Sequence, residues 1–200
     1  MNIDTEHLHH WMNAIRVSNS PMRTLDAFWS GQIKSKEWLI SNLLPFIQDN
    51  NTIEIHGGWV GTLASMLFQS TDKIKHITSI DIDPLCKHVA EEMNRIEYHQ
   101  NRFSAVTSDM TKYQSNSDII VNTSFEHITE EQYDAWKSKL PSGQLVVLQS
   151  NNYDIPEHIR TAQSLDDFVQ QTGLSNILFK GQIELPLYTR FMIIASIANK

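Results

Sequence analysis

Apolar residues recur at helical spacing over the first fifty positions and gather into short β-like runs from Thr52 onward. Between Asp4 and Arg16, Leu8, Trp11, Met12 and Ile15 share one helical stripe. Ser20-Pro21 sets a cap residue before a proline at the first helical position. The helix it opens carries Met22, Leu25, Phe28 and Trp29, and Gly31 is expected to end it. A short helix, Ser35 to Leu44, stops at Pro45. These helices are too few for a core of their own, so residues 1–50 are expected to pack as a lid on residues 51–200.

From Thr52 strands and helices alternate. Strand Thr52–His56 precedes helix Trp59–Gln69, and strand His76–Asp81 precedes helix Pro84–Tyr98, with Leu85, Val89, Met93 and Ile96 inward. Strands Phe103–Thr107 and Ser117–Asn122 follow, then a helix capped by Thr129 with Gln132 in capping-box position. Strand Gln144–Gln149 leads to a helix capped by Ser164. The alternation predicts a parallel sheet with helices on both faces, a three-layer α/β fold. Ile177–Glu184 and Arg190–Ile197 break it. The five residues between them cannot hold a crossover helix, so these last strands are expected to run antiparallel.

At 200 residues the chain suits one domain, 1–200, with one sizeable core. A net charge of −7 disfavours bare DNA or RNA as a partner, although Arg16, Arg23, Lys34 and Lys36 concentrate positive charge near the start. Cys86 is alone, which excludes an internal disulfide and fits a reducing cytoplasm. No apolar run is long enough to span a bilayer, and the start does not read as a signal peptide. His7, His9 and His10 lack a partnered acid or cysteine at ligand spacing, so no metal site is expected there; they are placed on the solvent side of the first helix.

The most telling stretch runs from Thr52 to Ala64. An apolar-polar run containing Glu54 ends in a turn with Gly57, Gly58 and Gly61, and a helix begins at once. Backbone amides of such a loop, with the helix start behind it, favour an anionic ligand group. The next strand closes on Asp81, where a carboxylate can accept both hydroxyls of a ribose. The pair points to an adenosine-containing ligand.

These residues resemble the class I S-adenosylmethionine-dependent methyltransferases, whose seven-stranded sheet carries its last strand antiparallel beside the fifth. Their glycine loop reads acid-x-Gly-x-Gly-x-Gly. Glu54 matches the acid, Gly58 the central glycine, and Gly61 the last if the loop is one residue longer. His56 stands where the first glycine is usual, with Gly57 beside it. The resemblance implies S-adenosyl-L-methionine as cofactor, Asp81 on its ribose, Asp109-Met110 on its adenine and Asn122 near its methionine end. The strings NTSFEHI and ELPLYTRFMII are also similar to small virus-encoded methyltransferase-like proteins.

Trp59 can lie against a sulfonium as a cation–π partner or pack as core beneath the N-terminal helices. Polar groups beyond strand ends are placed for chemistry, so His127 is a candidate general base, with Glu126 orienting it or taking the proton. Asn122-Thr123-Ser124-Phe125 is only loosely similar to the Asn-Pro-Pro-aromatic motif of nucleic-acid amino methyltransferases, since both prolines are missing. Gln149, Asn151, Asn152 and Tyr188 are candidates for a polar substrate pocket. A small-molecule acceptor is favoured over protein or nucleic acid. The rivals are transfer of another part of the cofactor, an accessory protein that binds it without turnover, and a nicotinamide oxidoreductase. Against the last stand the five-residue hairpin and His56 in the loop's first glycine place.

Overall fold

The computed structural model describes residues 4–198. Asp4 caps α1 (Thr5–Val17) by accepting from the Glu6 amide at 2.9 Å. The buried stripe of α1 is narrower than the sequence implies. Trp11 and Ala14 are inside, whereas Leu8 and Met12 are 43 % and 46 % exposed. Two of the histidines take the vacated contact. His7 lies 3.1 Å from Glu97 and His10 3.6 Å from Glu92, so their expected solvent placement is corrected; only His9 stays exposed.

Pro21 does open α2 (Pro21–Asp26), but the helix ends before Gly31. Gly31 instead sits in the first turn of α3 (Ser30–Leu43), beneath the Trp29 ring, where a Cβ would come within 2.5 Å of that ring. The helix expected from Ser35 therefore starts five residues earlier.

β1 (Asn51–His56), α4 (Thr62–Ser70) and β2 (Ile74–Asp81) follow. The single helix expected to Tyr98 is two, α5 (Pro84–Met93) and α6 (Arg95–His99). They divide at Asn94, whose side-chain amide donates to Gly61 O and Ala90 O. A side chain bonded back to the preceding turn in this way competes with helix continuation. Leu85, expected inward, is largely in solvent. β3 (Phe103–Thr107), β4 (Ile119–Asn122), α7 (Glu130–Lys137), β5 (Leu145–Asn151), α8 (Leu165–Thr172), β6 (Ile177–Glu184) and β7 (Thr189–Ser196) complete the chain. The Thr129–Gln132 capping box and the Ser164 cap both form.

The seven strands order β3-β2-β1-β4-β5-β7-β6. β1 to β5 pair in parallel; β7 runs antiparallel between β5 and β6, as the short hairpin requires. Alternation sorts the core by face. Ile53, Ile55, Ile119, Val121 and Val147 pack under α1, α3, α4 and α5, with Leu39, Leu43 and Met66. Ile120, Val146, Leu148 and Phe191 pack on the other face with Phe125, Tyr133, Trp136 and Phe168. The N-terminal helices thus share the sheet's own core. The indole of Trp11 also bonds Ser65 of α4 at 2.8 Å. In register, His56 of β1 lies beside Ile80 of β2 and Asn122 of β4, so the carboxyl ends of three strands open on one edge. Among the described residues no helix is long and apolar enough to cross a membrane.

Candidate active site

At that edge lies a cavity of about 740 Å³, within the range of small-molecule sites. The strand order reverses between β1 and β4, where open α/β sheets bind ligands.

One half of the cavity is built by the turn after β1. Gly57 has φ +68°, and a Cβ there would fall 2.2 Å from Ser124 Oγ, so both conformation and space demand glycine. Trp59 also adopts a left-handed backbone, φ 49°, which is costly for a bulky residue. Asp81 holds it there: Oδ2 accepts from the Trp59 amide at 2.8 Å, and Oδ1 accepts from the Asp83 amide at 3.0 Å. Each oxygen keeps a second lone pair for a ligand hydroxyl. Gly57, Gly58, Trp59, Asp81, Asp109 and Met110 line the cavity, as do Thr62 and Leu63 of the first turn of α4. The amides of that turn have no partner within the helix. Trp59 lines the cavity and packs, partly buried, against the core. The Asp109 side chain turns back on Thr111, whose hydroxyl and amide hold the carboxyl below its usual range.

Three expected cofactor contacts, Glu54, Gly61 and Asn122, do not line the cavity. Glu54 and His56 point to the opposite face of β1, because side chains alternate along a strand and Ile55 takes the cavity side. There His56 Nδ1 accepts from the Trp136 indole at 3.1 Å, which leaves Nε2 to donate to Glu54, 3.4 Å away. Ser117 and the Asn116 amide also donate to Glu54. Burial pushes its carboxyl up, but hydrogen bonds from His56, Ser115 and Asn116 outweigh this and hold it below the usual range. Gly61, φ +79°, is where α4 meets α5: a Cβ would be 3.1 Å from that of Ala90. Asn122 is buried and accepts from the Ser124 amide, shaping the next turn.

The other half is assembled from distant segments. Glu126 and His127 line it. Glu126 Oε1 accepts from Arg190 Nη1 at 2.6 Å and from Asn151 Nδ2 at 2.7 Å. Arg190 Nη2 donates to Thr123 O, and its Nε lies 3.4 Å from Gln149 Oε1. Gln149 and Asn151 therefore hold this ion pair from behind and do not line the cavity, contrary to the substrate role expected for them. Asn152 accepts from the Thr189 amide, and Tyr188 stacks on Tyr153, so both fasten the hairpin.

Several lining residues went unseen in the sequence. Arg23 and Asp26 come from α2, Gln32 and Lys36 from α3, and His158 from the loop after β5. Burial, then the neighbouring Arg190 charge, pushes the Lys36 ammonium down to about 7. Arg23 pairs with Asp83 at 2.5 Å and so pins α2 over the mouth. Ile82 is 71 % exposed at the cavity rim; an aliphatic chain left in water beside a strand-end acid was a readable signal.

No described family and no curated protein matches the sequence. Solved structures of similar fold include several methyltransferases. N-methyltransferase NodS from Bradyrhizobium japonicum WM9 is 14 % identical, with 83 % of this chain and 98 % of that one covered at a TM-score of 0.62. Magnesium protoporphyrin IX methyltransferase ChlM from Synechocystis PCC 6803, crystallised with S-adenosylmethionine, is 13 % identical, covering 96 % and 91 % at 0.67. S-adenosylmethionine-dependent methyltransferase SibL is 13 % identical at 0.68, and this chain spans 62 % of its length. The fold is that of class I methyltransferases. These neighbours lend no support to the resemblance to virus-encoded proteins.

Proposed function

We propose that this protein binds S-adenosylmethionine and transfers its methyl group to a small polar acceptor. The reading is carried by one observation: the Asp81 carboxylate, the Gly57–Trp59 turn and the start of α4 converge on one cavity. The residues suit the cofactor. Asp81 keeps lone pairs for two ribose hydroxyls, Ile82 and Met110 offer apolar surface to a purine, and the first turn of α4 favours a carboxylate. When bound, the cofactor supplies an electrophilic methyl on a sulfonium. The chain's own work is then to position the acceptor and exclude water.

Lys36, with its ammonium down at about 7, is part neutral amine near neutral pH and can take the acceptor's proton. Glu126 is a weaker candidate for that role than the sequence implied, because Arg190 and Asn151 already claim one oxygen. Arg190 and Lys36 bring N–H donors to this half, which suit an acceptor carrying an acidic or anionic oxygen. ChlM acts on a small molecule by its name, in keeping with the same acceptor class here. A buried Cys86 thiol is compatible with work in the cytoplasm.

Titration calorimetry with adenosylhomocysteine tests the reading. Wild type should bind, and Asp81→Ala should bind at least about tenfold more weakly, a loss of ~1.4 kcal/mol or more. Absence of heat with either adenosylhomocysteine or S-adenosylmethionine sinks it. Mass analysis of spent cofactor separates methyl transfer, which leaves adenosylhomocysteine, from use of another part, which leaves methylthioadenosine.

A further inference from the structure

Glu126, His127 and His158 each offer one ligand atom within 4.8 Å of the other two, and all three line the cavity. His127 Nδ1 lies 3.0 Å from Glu157 O, and His158 Nδ1 lies 2.7 Å from Tyr153 O. A carbonyl only accepts, so each ring carries a proton on Nδ1 and keeps a lone pair on Nε2. Ligating histidines adopt this arrangement, their other nitrogen fixed by a carbonyl behind the ring. Glu126 supplies the independent observation. It is 3 % exposed, both of its donors go to Oε1, and buried Oε2 has no partner. A buried carboxylate oxygen without a donor is costly. A cation there removes the cost.

We propose that Glu126, His127 and His158 bind a divalent transition-metal ion, zinc on the strength of two imidazoles and one carboxylate. Bonds of about 2.0–2.2 Å place tetrahedral ligand atoms about 3–3.5 Å apart, so the three draw together slightly on loading. His127 is exposed and His158 lies on irregular chain, so the rings can move while Glu126 stays fixed. Arg190 orients the carboxylate through Oε1. The sequence hid the site because His158 comes from a different strand end than Glu126 and His127. Positions left open on the ion face the cavity and suit an acceptor hydroxyl or carboxylate; this last step rests on the methyl-transfer reading.

The test is titration of the intact protein with Co²⁺, followed by its visible absorption bands, and then displacement by Zn²⁺. Wild type should develop bands of a nitrogen–oxygen site, and His158→Asn should weaken binding at least tenfold. Glu126→Gln should do the same, but it leaves Arg190 without its counter-charge, so His158→Asn decides if that variant misfolds. The triple variant His7→Asn, His9→Asn, His10→Asn should bind as wild type. Absence of bands, or bands kept by His158→Asn and lost from the triple variant, overturns the proposal. Adenosylhomocysteine titrated in parallel keeps the two readings apart, since either ligand can bind without the other.

Discussion

The two halves of the cavity are made differently. The half around Asp81, proposed for the nucleoside, comes from consecutive pieces of chain, a strand end, a glycine turn, a helix start and the next strand end, bound mainly through backbone amides. The half around Glu126, proposed for the acceptor, joins α3, the turn after β4, the loop after β5 and the first residues of β7 through side chains. The first half is local, so its geometry follows from the path of the main chain. The second depends on tertiary packing, and a change in one member is felt by the others.

The largest effect expected on this contrast comes from Arg190→Met. It strands the buried Glu126 carboxylate and should cost about 3–5 kcal/mol in urea unfolding. The double variant with Glu126→Gln should recover much of that loss. An additive double variant would show that the acceptor half is not a coupled unit. Asp81→Asn probes the other half. Adenosylhomocysteine affinity should fall about 10–100-fold, a loss of ~1.4–2.7 kcal/mol, with a smaller change in the unfolding midpoint.

Lys36→Met should stabilise the fold by about 1–3 kcal/mol at pH 7. The native ammonium is depressed to about 7, so between that value and the ordinary lysine range the unfolded chain binds the extra proton. The wild-type penalty is therefore full below pH 7 and fades as pH rises toward 10, and unfolding curves across that window should show the gain fading with it. If Lys36 takes the acceptor's proton, the same variant also removes the rise in turnover around pH 7. The smallest effect belongs to Arg23→Ala, about 0.2–1 kcal/mol for an exposed pair. The Arg23 bond holds the Asp83 carboxyl below its usual range, so the wild-type advantage should be present above the normal carboxylate pKa and vanish as pH falls through the depressed one.

Legibility in the sequence followed the same divide. The strands, their antiparallel ending and the Gly57–Asp81 unit could be read because alternation and turn chemistry are local signals. Motif position alone places Glu54 on the ligand, whereas strand parity puts it on the far side of β1 from Ile55. Gln149 and Asn151 read as polar groups at a strand end, but the partner of Gln149, Arg190, lies 41 residues on and that of Asn151, Glu126, lies 25 residues back, beyond any spacing rule. Lys36 reads in the sequence only as part of the positive charge near the start, because only packing brings it beside Arg190. The break at Asn94 depends on a tertiary contact with Gly61 that periodicity does not encode.

The anchoring of α3 has a mechanical consequence. Leu39 and Leu43 bury it in the core and Ser35 bonds Gln149, whereas α2 has only Thr24 buried and is tied at the rim by one ion pair. What can swing aside is thus a flap of six residues, about 9 Å long. Displacing that flap would leave the buried residues of α3 in place, so the wall of the cavity that carries Lys36 would stay fixed while its mouth widened.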